Sequence, residues 1–103
     1  MAGQWGEFKT VILAADVSKI VDEQTDVYPR FPAAWAALEW LLARSAATIG
    51  RAPSGGDTNL RLFVQADDAL ANVPAIWVVY RVGPEIEILA TNVVAPVNES
   101  DDV

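Results

Sequence analysis

The C-terminal third of the chain carries two hydrophobic patterns on either side of a break. Residues 76–80 (Ile-Trp-Val-Val-Tyr) form a continuous apolar run. After Gly83-Pro84, the residues Glu85, Glu87 and Leu89 alternate with Ile86, Ile88 and Ala90. Period-two alternation sends successive side chains to opposite faces of a strand. Gly permits positive φ, while Pro fixes φ and lacks a donor N–H, so Gly83-Pro84 predicts a tight turn. The segment therefore predicts a β-hairpin with strands over 76–82 and 85–91. The first of these is apolar at so many consecutive positions that it predicts a central strand buried on both faces.

Upstream, 8–15 predicts a first strand with β-branched Thr10, Val11 and Ile12 at its centre. Asp16 is placed to cap a short helix over 17–23, with Val17, Ile20 and Val21 on one face. A loop over 24–30 follows. Pro32 then suits the first turn of a helix over 33–47, where its missing donor costs nothing. Trp35, Leu38 and Leu42 share one face of it, and Gly50 is a stop. Residues 51–58 (RAPSGGDT) predict a flexible connection. Residues 59–66 predict a strand, with Leu60, Leu62 and Val64 alternating against Arg61, Phe63 and Gln65. A hairpin loop over 67–74 has room for one short helical turn.

The predicted order is β-α-α-β-β-β, an α+β domain. A small, mainly antiparallel sheet is covered on one face by two helices. At 103 residues the chain is one domain, with flexible ends expected over 1–6 and 95–103. If the first strand lies at an edge, its 10–13 run needs covering.

Composition narrows the chemistry. There are no cysteines and no histidines. Disulfides, thiolate nucleophiles, His general bases and the usual zinc or iron sites are therefore outside this chain's reach. The net charge of −7 disfavours general nucleic-acid binding, because a phosphate backbone is drawn to clustered Lys and Arg. No apolar run is long enough to span a membrane, and the N-terminal residues show no basic region before an apolar core. The expected location is cytoplasmic. No cofactor and no metal site are expected. Asp67 and Asp68 lack an evident third ligand and are read as caps of a short turn. Gly55-Gly56 lacks the Lys-Ser/Thr of a phosphate loop and reads as a connector.

Four residues stand out as candidates for binding a partner: Arg61, Arg81, Trp40 and Arg44. Paired in register, the second and third strands would place Arg61 and Arg81 together on the exposed face. The bland alternative is two surface arginines paired with nearby carboxylates. Trp35 and Trp77 fit core packing. Trp40 lies off the Leu38–Leu42 stripe, on the flank with Ala36 and Arg44, at either the core edge or a contact surface. Trp5 precedes the first strand and is a second aromatic open to either reading.

With this element order, the strings Leu60-Arg61-Leu62-Phe63-Val64, Trp77-Val78-Val79-Tyr80-Arg81-Val82 and Glu85-Ile86-Glu87-Ile88-Leu89-Ala90 resemble the RelE/ParE superfamily of bacterial type II toxins. The resemblance covers roughly 8–92. It implies either mRNA cleavage on the ribosome or, for ParE-like members, inhibition of DNA gyrase without a catalytic site, and in both cases a cognate antitoxin. The residues depart from the nuclease pattern. No Tyr, His, Lys or Arg follows Arg81, and Tyr80 should point away from Arg81. RNA cleavage needs a base and cations for the developing charge. The expectation is a ParE-like protein acting by contact with another protein. The alternative is a non-toxic α+β interaction module or homodimeric subunit. An enzyme using carboxylates and Arg ranks last, because no convergent constellation is visible.

Overall fold

The computed structural model describes residues 8–52 and 59–96. Most of the expected connection over 51–58, and of the expected flexible ends over 1–6 and 95–103, lies outside them. The element order is β1 (Val11–Leu13), α1 (Ala15–Val27), α2 (Phe31–Ile49), β2 (Leu60–Gln65), β3 (Ala75–Val82) and β4 (Ile86–Val94). This is the predicted α+β order. The strands form one sheet in the order β1-β4-β3-β2. β2, β3 and β4 make an antiparallel meander, and β1 joins β4 in parallel.

Both helices lie on one face of this sheet. α2 sends Phe31, Trp35, Leu38, Leu42 and Ala46 inward, a stripe at i, i+3 and i+4 spacing. They meet Val17 of α1 and the inward residues Ile76, Val78 and Tyr80 of β3 and Ile86 and Ile88 of β4. Pro32 sits in the first turn of α2 as expected, and Gly50 follows its end. Trp35 packs in this core and donates from Nε1 to Glu39 Oε2 at 2.7 Å.

The helices are longer than their sequence signals. α1 begins at Ala15, with Ala14 at the N-cap and no side-chain cap bond. Asp16 is thus not the cap. It stands in the first turn, where its charge complements the positive end of the helix. α1 also continues to Val27, so the expected loop shrinks to residues 28–30. α2 bends at Ser45, whose φ of −136° is not helical.

β1 is much shorter than 8–15 and does lie at the sheet edge. A three-residue edge offers little backbone for stray pairing. Lys9, just before it, ties the neighbouring parts together: its N–H donates to Ala43 O at 3.0 Å and its Nζ to Gly83 O at 2.8 Å. At the other edge, Arg51 and Leu62 exchange two backbone hydrogen bonds of 2.8 Å. In the β2–β3 loop, Asp68 Oδ1 accepts from the Ala71 N–H at 3.2 Å, so Asp68 caps a turn as expected. Asn72 closes that turn in the left-handed region, at φ 57°.

β3 is central but not buried on both faces. Two helices cover only one side of a four-stranded sheet, and the side chains of Trp77 and Arg81 emerge on the other. The continuous apolar run over 76–80 therefore marks two apolar faces, of which one is closed.

Candidate functional site

Cross-strand register decides which side chains share the uncovered face. Leu62 pairs with Val79, Val64 with Trp77 and Leu60 with Arg81. On the other side of β3, Trp77 pairs with Asn92, Val79 with Ala90 and Arg81 with Glu87. Ile12 of β1 joins the same face opposite Glu87. The result is an apolar surface over β2, β3 and β4, bounded at one end by Arg81, Glu87 and Glu85, with Ile12 of β1 beyond Glu87.

Trp77 is the largest residue on this face and is 41% exposed. The expectation that it packs in the core is overturned. Ile76, Val78 and Tyr80 occupy the inward positions of β3, and alternation leaves Trp77 outside. Beside it is a shallow depression of about 200 Å³ lined by Leu62, Val79, Ala90 and Asn92. At the charged end, Arg81 Nη1 lies 3.9 Å from Glu87 Oε1, with both side chains about half exposed. An ion pair so open to water contributes roughly 0–1 kcal/mol.

Arg61 and Arg81 are not on one face. Arg61 pairs with Tyr80, which points to the helices, while Arg81 pairs with Leu60 on the open side. Arg61 Nη2 donates to the carbonyl of Gly50, at the end of α2. Tyr80 donates from its hydroxyl to Ala46 O at 2.7 Å. The last carbonyls of a helix have no intrahelical partners, and a cation there also meets the negative end of the helix dipole. Arg61 and Tyr80 therefore fasten the end of α2 to the sheet. Burial pushes the Tyr80 hydroxyl above its ordinary pKa, and the neighbouring Arg61 pulls it part of the way back. Tyr80 does point away from Arg81, as expected.

Trp40 and Arg44 form a third, separate location on the outer flank of α2. The Arg44 guanidinium sits 4.4 Å from the centre of the Trp40 ring, and Phe8 lies 6.2 Å away on a tilted plane. Trp40 is 53% exposed, which answers the question of core edge or surface in favour of surface. Trp5 and Gly55-Gly56 lie outside the described residues.

Among the described residues no three His, Cys, Asp or Glu side chains gather as a metal-holding group. No described helix is long and apolar enough to cross a membrane. The four sequence candidates thus fall in three places. Only Arg81 lies on the broad apolar face, and the sequence reading missed Trp77, Val79 and Leu62 there. Element count could have found them: two helices cover one face, so a strand apolar at every position leaves a second apolar face open. No protein-family profile, curated protein or solved structure matches this chain.

Proposed function

We propose that this chain is a protein-binding module that works by contact rather than chemistry, through the uncovered face of its sheet. The observation that carries this reading is the apolar surface around Trp77. Contiguous exposed apolar surface of this kind marks interaction sites, and exposed Trp is a frequent anchor of binding energy. The face is favoured over the sheet edges. β1 is three residues long, and Arg51 already occupies the middle of the outer edge of β2. An added strand has little free backbone to pair with.

The test is a photo-crosslinking amino acid placed at Val79, on the open face, or at Ala37, exposed on α2, in the full chain in its native host. An adduct from position 79 and none from position 37 is expected. Absence of any adduct from position 79 would end this reading.

A narrower second reading is a toxin-like protein of a type II pair, ParE-like, with a cognate antitoxin and DNA gyrase as partners. It is supported by the β-α-α-β-β-β order together with the Arg61, Tyr80-Arg81 and Ile86-to-Leu89 strings. Induced expression of the chain alone separates the cases. Growth arrest with altered DNA supercoiling and intact mRNA is expected of a ParE-like toxin. Normal growth at confirmed soluble expression removes the toxin reading and leaves the module.

A further inference from the structure

We propose that the open face is closed by the same face of a second copy of this chain, across a two-fold axis. This rests on the docking-face reading above and names its occupant.

The face has a projection and a hollow side by side. Trp77, partly exposed, rises as one wall of the depression of about 200 Å³ whose other sides include Leu62, Val79 and Ala90. In a two-fold contact one patch meets itself, so each copy's projection is set against the other's hollow. A surface carrying both is complementary to itself.

Charge selects the same occupant. The chain as a whole carries −7, yet this face holds Arg81 and Glu87 directly opposite each other. The exposed acids Asp16, Asp22, Glu23 and Asp26 lie on α1, in the layer behind the sheet. A basic partner would find only Glu85, at the rim, in excess, and an acidic partner only an arginine already paired. The complement of an apolar surface so close to neutral is another of the same kind.

Size sits at the lower limit. Strands about 4.8 Å apart and rising about 3.3 Å per residue, with three, six, eight and nine residues in β1 to β4, give a flat area of roughly 400 Å². Two such faces present roughly 800 Å² of flat area, and side-chain relief brings the buried accessible surface toward the roughly 1,000 Å² threshold for a specific interface. Stacked sheets pack at about 10 Å in this way, with inner side chains interdigitating. Contact at the lower size limit gives a micromolar dimer rather than a nanomolar one.

Sedimentation velocity on the full chain, from low to high micromolar concentration and in low and high salt, tests this. A monomer–dimer equilibrium is expected, with a dissociation constant that falls several-fold as salt rises. Two bodies of like charge repel, and salt screens that repulsion. Trp77→Arg and Ala90→Arg, one removing the projection and one filling the hollow, should each raise the dissociation constant by about thirty-fold or more. Both sites are on the exposed face, so circular dichroism and thermal unfolding of the monomer should be unchanged. A chain that stays monomeric throughout, or a dimer indifferent to both substitutions, overturns the proposal. The crosslink from position 79 then tells the two failures apart. An adduct with a different protein keeps the docking face and discards the second copy, while no adduct discards both.

Discussion

Arg61 and Tyr80 face each other across β2 and β3, and each spends its polar end on the last turn of α2. One takes the carbonyl of Gly50 and the other that of Ala46. The pair links the sheet to the longest helix at the point where α2 has passed its bend and its own carbonyls lack partners.

Burial raises the Tyr80 hydroxyl above the ordinary tyrosine value of 10.0, so the folded chain holds the proton where the unfolded chain has lost it. Stability falls with rising pH wherever the native state binds more protons than the unfolded state. The contribution is intact below pH about 10 and declines as pH rises from there through the raised value. Tyr80→Phe should cost about 1 kcal/mol at neutral pH and flatten this decline. Urea melts across the alkaline range measure both effects; an unchanged decline would mean another group titrates there.

Gly50→Ala should destabilise the fold by about 1–3 kcal/mol. A methyl group built on Gly50 runs into the Tyr80 hydroxyl and comes within 2.9 Å of the Leu62 carbonyl oxygen. The Leu62 carbonyl already accepts from the Arg51 N–H and has little freedom to retreat. Thermal unfolding should show the loss, and pairing Gly50→Ala with Tyr80→Phe should recover part of it.

The two strand arginines should differ in their effect on folding. Arg61→Met leaves the Gly50 carbonyl without its charged donor and should cost about 1.5–3 kcal/mol. Arg81→Met removes only a half-exposed pair with Glu87 and should stay within about 0.5 kcal/mol. Equal effects in denaturant titrations would contradict their placement on opposite faces.

On the outer flank of α2, a double-mutant cycle of Trp40→Ala and Arg44→Ala should return a coupling of about 0.5–1 kcal/mol. That is the size of an exposed cation–π contact. Zero coupling by chemical denaturation would mean that Arg44 does not hold its place over the ring.

The order of elements and the inward stripe Trp35, Leu38 and Leu42 were legible in the sequence, because a helix periodicity has one apolar face and leaves no choice of side. The strands were legible as strands, but their sidedness was not. In β2 both Leu60-Leu62-Val64 and Phe63 are apolar sets, and only pairing with β3 reveals that Phe63 and Arg61 face the helices. In β3 Trp77 and Val79 are as apolar as Ile76 and Val78, so alternation gives two equivalent answers. The partners of Arg61 and Tyr80 lie 11 and 34 residues away, on a helix end whose position no local signal specifies. At α1 the local signals failed at both ends: Ala14 rather than Asp16 is the N-cap, and the helix runs on through Thr25, Asp26 and Val27, which are exposed and weak helix formers.

One irregularity remains in the sheet. Val79 pairs with Ala90 but Tyr80 pairs with Ile88, so Leu89 is one residue more than the ladder needs. Its presence switches the inward positions of β4 from Ile86 and Ile88 to Thr91 and Val93. β4 therefore carries slack at this point. Removing Leu89 would join Ile88 directly to Ala90, with each still opposite its present partner, whereas losing one residue between Ile86 and Ile88 would turn the start of the strand inside out. In an evolving gene, a codon deletion at position 89 is a change that the sheet can absorb.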